Sequence, residues 1–249
     1  MPALSEWAAT QAFQAPYWAI STATLLWFVW IYTLIAGGAY WLATHQILDT
    51  VSVGNRAQQL RPGQVQEELR LSALSMVIFA VQTAGVVWLL RHGWLTIDWQ
   101  SSPWHLLWEL PLLYLWNEVH FFVIHRALHW KPLYRGVHIW HHRSVITTPF
   151  SSFSFHPVES FLLGSVMPLA LLLHAFSPWA LLGLTLMSLI LNVSGHLPYE
   201  QIHQRSKLFK HLLGHSRYHN RHHREFHTHY AFSLMWLDRW LGGAQAKAP

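Results

Sequence analysis

The chain has 249 residues, of which 52% are hydrophobic and 11% charged, against about 25% charged in an ordinary soluble domain. It carries 16 Trp, a residue that collects at bilayer interfaces, and 20 His, but no Cys, which excludes disulfides, iron–sulfur clusters, zinc–thiolate sites and palmitoylation and leaves His, Asp and Glu as the strong metal ligands. The net charge of +5 does not point to nucleic acid: the basic residues lie between hydrophobic stretches, where a membrane surface accounts for them.

The first hydrophobic stretch, Tyr17 to Thr44, has no charged residue and exceeds the ~20 residues needed to span a bilayer. No basic region precedes it, so no cleavable signal peptide is expected. The second is Leu71 to Leu90. The third, His105 to Ile124, is interrupted by Glu109, Glu118 and His120. Phe161 to Phe176 and Trp179 to Val193, joined at Ser177-Pro178, are short for full crossings and predict a hairpin that spans only with tilt or local thinning.

Lys and Arg orient this arrangement. With segment 45–70 inside, Arg56, Arg61, Arg70, Arg126, Lys131, Arg135, Arg143 and every basic residue after 200 share one face, and only Arg91 falls on the other. The positive-inside rule then puts the N-terminus outside and the C-terminus inside. Gln201 to Leu213 is basic with interleaved apolar residues. It reads equally as an amphipathic helix on the membrane or as a helix packed on the protein's own cap.

The expected fold is all-α: a single membrane domain over residues 1–249, an integral, multi-pass helical bundle of about four or five membrane-embedded helices (17–44, 71–90, 105–124, 161–176 and 179–193). A cytosolic, histidine-rich helical cap is expected from 125–158 and 194–243.

The histidines fall into four boxes. His125 and His129, at i and i+4, share one helix face. His138, His141 and His142 form an HxxHH box, and His219, His222 and His223 form a second. His196 stands alone where the fifth stretch ends. In an HxxHH box the first ring shares a face with each of the others, while the middle and last rings are offset by about a hundred degrees. Such a box can serve one metal from one edge and a neighbouring metal from the other. One box alone could be coincidence in a His-rich chain; two, both beside membrane exits on one face, point to a two-metal site. Imidazole suits zinc, copper, iron and nickel. A closed structural zinc takes about four ligands, fewer than these boxes offer.

Several other residues are candidates for an additional ligand or a supporting role. His120 lies five residues before His125, on a different part of the helix surface. His156 and Glu159 precede the fourth stretch. Glu118, Glu159 and Glu200 are carboxylates able to fix the tautomer of a ligating His, or else to pair with Arg126 or other basic residues. Asp238 reads as structural. His45, His92, His105, His174, His203, His211 and His215 read as ordinary polar residues, with His203 and His215 nearest the boxes.

These motifs resemble the fatty acid hydroxylase and sterol desaturase superfamily of integral membrane di-iron oxygenases. The resemblance runs from about Trp116 to Gly243. Asn117 to His129 is similar to the first box and its approach, and His138 to His142 to the second. Pro149 to Glu159 resembles a recurring segment after it, and Gly195 to Glu200 and His219 to His223 resemble the later boxes. Trp236 to Gly242 resembles a closing Trp-Asp motif with one residue inserted. One departure stands out: where many members have Asn-Tyr-Gly, this chain has His229-Tyr230-Ala231, which puts His227 and His229 near the site, as added ligands, as groups that tune the ligands from behind or line the substrate pocket, or as solvent-facing residues.

The resemblance implies two non-haem irons held by His125, His129, His138, His141, His142, His196, His219, His222 and His223. It also implies dioxygen, an apolar lipid-like substrate, and an external electron-transfer protein of the ferredoxin or cytochrome b5 type, since no reductase domain is visible. The reaction implied is hydroxylation, with desaturation as the alternative because both begin with hydrogen abstraction. A haem-bearing electron carrier would need His pairs on facing helices within the spans. A metal transporter would need ligands along the mid-membrane path. The active site is expected on the cytosolic face, in a bacterial inner membrane in preference to the endoplasmic reticulum.

Overall fold

The computed structural model describes residues 14–45, 51–52, 60–200 and 216–241. Among these the regular structure is helical apart from a two-residue antiparallel pairing, Val51 with Glu200 and Ser52 with Tyr199. The segment 201–215, which holds the expected amphipathic stretch and His203, His211 and His215, lies outside the described residues.

Helix α1 runs Tyr17–Thr44 with a π-helical turn at Thr33–Gly37. Helix α2, Gln64–Arg91, starts at Gly63 with φ 76, seven residues ahead of the apolar stretch. Its first turns belong to the cap, because Glu68 there is buried among cap residues. Helix α3, Leu106–Leu128, continues past the apolar stretch so that His125 sits in its last turn and His129 at its C-cap. The expected fourth stretch is two helices, α4 (Pro157–Gly164) and α5 (Val166–Leu173), broken at Ser165. Helix α6, Pro178–Gly195, is N-capped by Ser177 Oγ, which accepts from Ala180 N at 3.1 Å. Helices α7 (Ser216–Glu225) and α8 (Trp236–Leu241) complete the described chain.

Helices α1, α2 and α6 are long and apolar enough to cross a membrane, and 157–173 is a shorter apolar segment. Helix α3 has the length, at 23 residues, but not the uniform apolarity. Its Glu109 is buried and accepts from Ser177 N at 3.1 Å and from Ser177 Oγ, so the acid that interrupts α3 anchors the start of α6.

In lipid, apolar burial between helices gains little, and close approach and interhelical hydrogen bonds matter more. Small residues accordingly sit at the contacts, with Ala36 and Ala180 fully buried. Tyr32 Oη donates to the Phe150 carbonyl at 2.7 Å, Trp116 Nε1 to Val166 O at 2.9 Å, and Gln82 Nε2 to Phe161 O at 2.9 Å. One core unites Ile31, Tyr32, Met76, Phe153, Phe155, Leu189 and Val193 under the cap. Outward-facing Trp18, Leu26, Trp30 and Trp41 leave α1 with an apolar surface suited to lipid. The protein is thus a helical integral membrane protein, as its composition requires.

Candidate metal centre

All nine box histidines converge at the cap end of α3 and α6. They form two groups: His125, His129, His138, His142 and His222 in one, and His141, His196, His219 and His223 in the other, with the ligand atoms of each group within 4.8 Å of one another. The two HxxHH boxes divide in the same way. In each, the first and last rings stay together and the middle ring crosses over. His138 and His142 join the first group while His141 joins the second; His219 and His223 join the second while His222 joins the first. The His138 box is not one regular helix, since a π-helical turn Tyr134–His138 runs into Ile139–His142.

Five of these rings have a fixed orientation. His138 Nδ1 meets Glu159 Oε1 at 2.8 Å. His125 Nδ1 meets Tyr230 O at 2.9 Å, His222 Nδ1 meets Thr228 O at 2.6 Å, His196 Nδ1 meets Asn192 O at 2.7 Å, and His141 Nδ1 meets Ser154 O at 3.3 Å. Each oxygen accepts, so each Nδ1 carries the hydrogen and each Nε2 carries a lone pair. Two of those lone pairs face each other, His141 Nε2 lying 3.5 Å from His196 Nε2, and His219 Nε2 lies 3.0 Å from the same His196 Nε2. His138 Nε2 and both ring nitrogens of His142 are buried without a partner among the described residues.

Burial drives these imidazoles to the neutral form. It pushes His196 down to about 4 and His142 to about 3. His138, His141, His219, His222 and His223 lie well below the usual range, from burial first and the surrounding histidines second. Opposed lone pairs on neutral, desolvated rings repel unless a cation sits among them. The donor set therefore fits metal ions that accept neutral imidazole.

The other candidates are placed differently. Of Glu118 and Glu159, the two carboxylates offered as tautomer anchors whose side chains are described, only Glu159 reaches a histidine. Glu118 instead accepts from Ser233 N at 3.0 Å, from Ser233 Oγ and from Leu234 N at 2.9 Å, tying the segment after the last box to α3 and pairing with no arginine. The side chain of Glu200 lies outside what the structure describes. His120 is not in either group; its Nε2 meets Ser165 Oγ at 3.0 Å, because five residues of helix turn it away from His125. His156 caps α4, accepting from Val158 N at 3.1 Å, and packs on Trp140 away from the centre. His227 is exposed. His229 is buried against Tyr218, with Nδ1 2.8 Å from Thr228 Oγ1, and joins neither group. Its φ of 65 makes the turn that presents the Thr228 and Tyr230 carbonyls to His222 and His125. Asp238 is structural, accepting from Tyr230 N at 2.9 Å, Ala231 N at 2.8 Å and the Tyr218 hydroxyl.

Two supports have no obvious mark in the sequence. Glu68 accepts from Gln64 Nε2 at 2.8 Å, Ser144 Oγ at 2.7 Å and Thr148 Oγ1 at 2.5 Å, locking α2 to the loop after the second box. Asn220 accepts from Thr147 Oγ1 at 2.8 Å and donates to Leu197 O at 3.2 Å and Ser216 O at 2.9 Å, joining three box segments. Its place inside the last box was the available signal.

A narrow cavity reaches the centre, lined by His125, His138, His141, His196, His219 and Glu159 along with apolar residues. It shares Phe121, Phe155, Leu163, Asn192 and Phe232 with a larger cavity among the helices, about 980 Å³ counting its open mouth. The two cavities thus meet at a shared, largely apolar wall, with the histidines on the side toward the cap.

The sequence profile of the fatty acid hydroxylase family matches residues 110–243. The Delta(7)-sterol 5(6)-desaturase of Saccharomyces cerevisiae is 46% identical over 59 residues, 22% of this chain and 16% of that protein. The Delta(7)-sterol 5(6)-desaturase of Leptosphaeria maculans is 28% identical over 147 residues, 57% of this chain and 39% of that protein. Lathosterol oxidase of Rattus norvegicus is 29% identical over 109 residues, 42% of this chain and 36% of that protein. The chain thus spans well under half the length of these relatives. No solved structure matches it. With the matched region covering more than half of the chain and containing every box histidine, this protein belongs to the fatty acid hydroxylase family.

Proposed function

We propose that the protein is a membrane-bound, non-haem di-iron oxygenase that hydroxylates an apolar, lipid-like substrate. The observation that carries this reading is the pair of buried histidine groups, five rings and four, with unpartnered nitrogens converging beside two adjoining cavities with largely apolar walls, which would together form a passage to them. One iron would be held by His125, His129, His138, His142 and His222, and the other by His141, His196, His219 and His223. Two irons bound there supply redox chemistry able to activate dioxygen and break an unactivated C–H bond.

The residues of this chain hold and shield that chemistry. Glu159 and the carbonyls of Ser154, Asn192, Thr228 and Tyr230 keep the Nδ1 hydrogens in place and so aim the Nε2 lone pairs. Phe121, Phe155, Leu163 and Phe232 line the junction between the cavities, admitting a lipid chain and excluding water. In hydroxylation the substrate C–H and dioxygen, with two electrons and two protons, give the alcohol and water. Electrons come from a separate donor, of the ferredoxin or cytochrome b5 type, approaching the basic cap side.

Desaturation is the second reading, because the relatives above include proteins named as sterol desaturases. It removes two hydrogens from adjacent carbons and consumes the same dioxygen and electrons, giving two waters. The histidine arrangement serves both reactions, and the position of the second C–H bond decides between them. The passage opens within the helices, so substrate enters from the bilayer and the centre faces the positively charged, cytosolic side. The relatives are fungal and rat proteins, and they lend no support to the bacterial inner membrane expected from the sequence.

The test is metal content and optical spectrum of the protein expressed with iron and purified in mild detergent, followed by mass analysis of membrane lipids. The reading requires about two irons per chain, no haem band, and a lipid product that gains one oxygen or loses two hydrogens. A haem band, or no metal at the histidines, overturns it.

A further inference from the structure

The larger cavity is mainly apolar, with polar side chains from α2, α3 and α6 in its lining. Its lining contains no Lys, Arg, Asp or Glu among the described residues. Asn117 and His120 lie on it, three residues apart on one face of α3. Both are mostly buried, at 8% and 7% exposure. A polar side chain held inside a membrane bundle is costly unless it meets a partner.

His120 has a definite tautomer. Ser165 Oγ donates its only hydrogen to Leu162 O at 2.6 Å, so at 3.0 Å it can only accept from His120 Nε2. His120 Nδ1 is therefore an acceptor, and no group among the described residues donates to it. The Asn117 amide, which can both donate and accept, likewise makes no hydrogen bond among the described residues. Neither side chain's polar atoms are sealed off, unlike the closed-off nitrogens of His138 and His142. They are open to the cavity that both residues line.

We propose that Asn117 and His120 form a subsite for an uncharged, hydrogen-bond-donating group on the substrate, a hydroxyl on a neutral lipid. The juxtaposition suits that group. Asn117 offers a donor and an acceptor, and His120 Nδ1 offers an acceptor. The absence of any cation on the wall leaves a carboxylate or phosphate unpaired there, at a prohibitive desolvation penalty. Distance along α3 links recognition to reaction. At 1.5 Å per residue, His120 and Asn117 lie about 7.5 and about 12 Å along the axis from His125. The subsite thus selects a neutral alcohol and sets which stretch of its skeleton reaches the histidines.

This inference rests on the oxygenase reading for its consequence, but its test does not need turnover. Binding of cholesterol and of 1-octadecanol to the full chain in detergent is measured by quenching of tryptophan fluorescence. Each is compared with its methyl ether, and 1-octadecanol also with octadecanoate. Metal per chain is recorded in parallel, and a failure of the oxygenase reading shows there alone. The expected result is a preference of about tenfold for at least one alcohol over its ether, with octadecanoate weaker still. That preference should collapse in Asn117→Leu and in His120→Leu and return in His120→Gln, with metal content unchanged. Equal binding of alcohols and ethers, a preference for the carboxylate, or an alcohol preference that survives both leucine variants overturns the proposal. If the leucine variants fail to fold, the ether and carboxylate comparisons on the unaltered protein still decide it.

Discussion

Glu159 Oε1 lies 2.8 Å from His138 Nδ1, and both side chains are almost fully buried. The carboxylate comes from the first turn of α4 and the imidazole from the second histidine box, so one hydrogen bond fixes the tautomer of a ring and the docking of a membrane-embedded helix on the cap. Supports of this kind change metal affinity by about 10- to 100-fold when removed. Glu159→Ala should lower affinity by that range, whereas Glu159→Gln, which keeps an acceptor oxygen, should lose less. Chelator competition with the purified protein checks both.

The two histidine groups differ in number, and the second has no ring to spare. His196→Ala should bring metal from about two to about one per chain, while His129→Ala should retain both and release one faster. Metal analysis after dialysis distinguishes them. Equal loss in the two variants would show that the groups do not act as separate sites.

The metal-free protein should lose stability on acidification. Burial holds the folded-state values down, to about 4 for His196 and about 3 for His142, below the usual 6.5. Between those values the unfolded chain takes up protons that the folded chain does not. Stability is therefore complete above about pH 6.5 and falls by about 1.4 kcal/mol per pH unit for each such histidine as pH drops toward the folded values. Thermal unfolding in chelator at pH 7.5, 6.5 and 5.5 should show Tm level between the first two and lower at the third.

His229 occupies left-handed backbone, φ 65, where Asn, Asp and His are tolerated and β-branched residues are strained. His229→Asn should leave metal affinity near that of the parent. His229→Val should cost about 1–2 kcal/mol in stability and weaken metal binding, because the Thr228 and Tyr230 carbonyls lose their aim at His222 and His125. Tm and chelator competition read the two effects separately.

Asn220 should behave as a structural tie with consequences for the centre. Asn220→Ala leaves Thr147 Oγ1 without its acceptor and removes the side-chain bonds to Leu197 O and Ser216 O, at about 1–3 kcal/mol. Limited proteolysis should show earlier cleavage in the cap than in the parent, with the membrane helices still protected.

The amino-acid sequence by itself determined the parts that depend on composition and local period. Hydrophobic runs at 17–44 and 71–90 are long enough to cross a bilayer, and both are long apolar helices in the structure. The i, i+3 and i+4 spacing of the histidines made shared helix faces unavoidable, and box membership named all nine rings that converge. Tertiary structure decided what depends on contacts between distant segments. Which ring of each HxxHH box crosses to the other group follows from how α3, α6, α7 and the second box meet. A carboxylate's role is set by what lies opposite it. Glu159 faces His138, whereas Glu118 faces the Ser233 backbone and Glu109 faces Ser177, and their sequence neighbours do not separate these cases. The same reason hid the work of Glu68 and Asn220 and the open polar atoms of Asn117 and His120. Periodicity reports which side of its own helix a residue occupies, and only packing supplies the partner on that side.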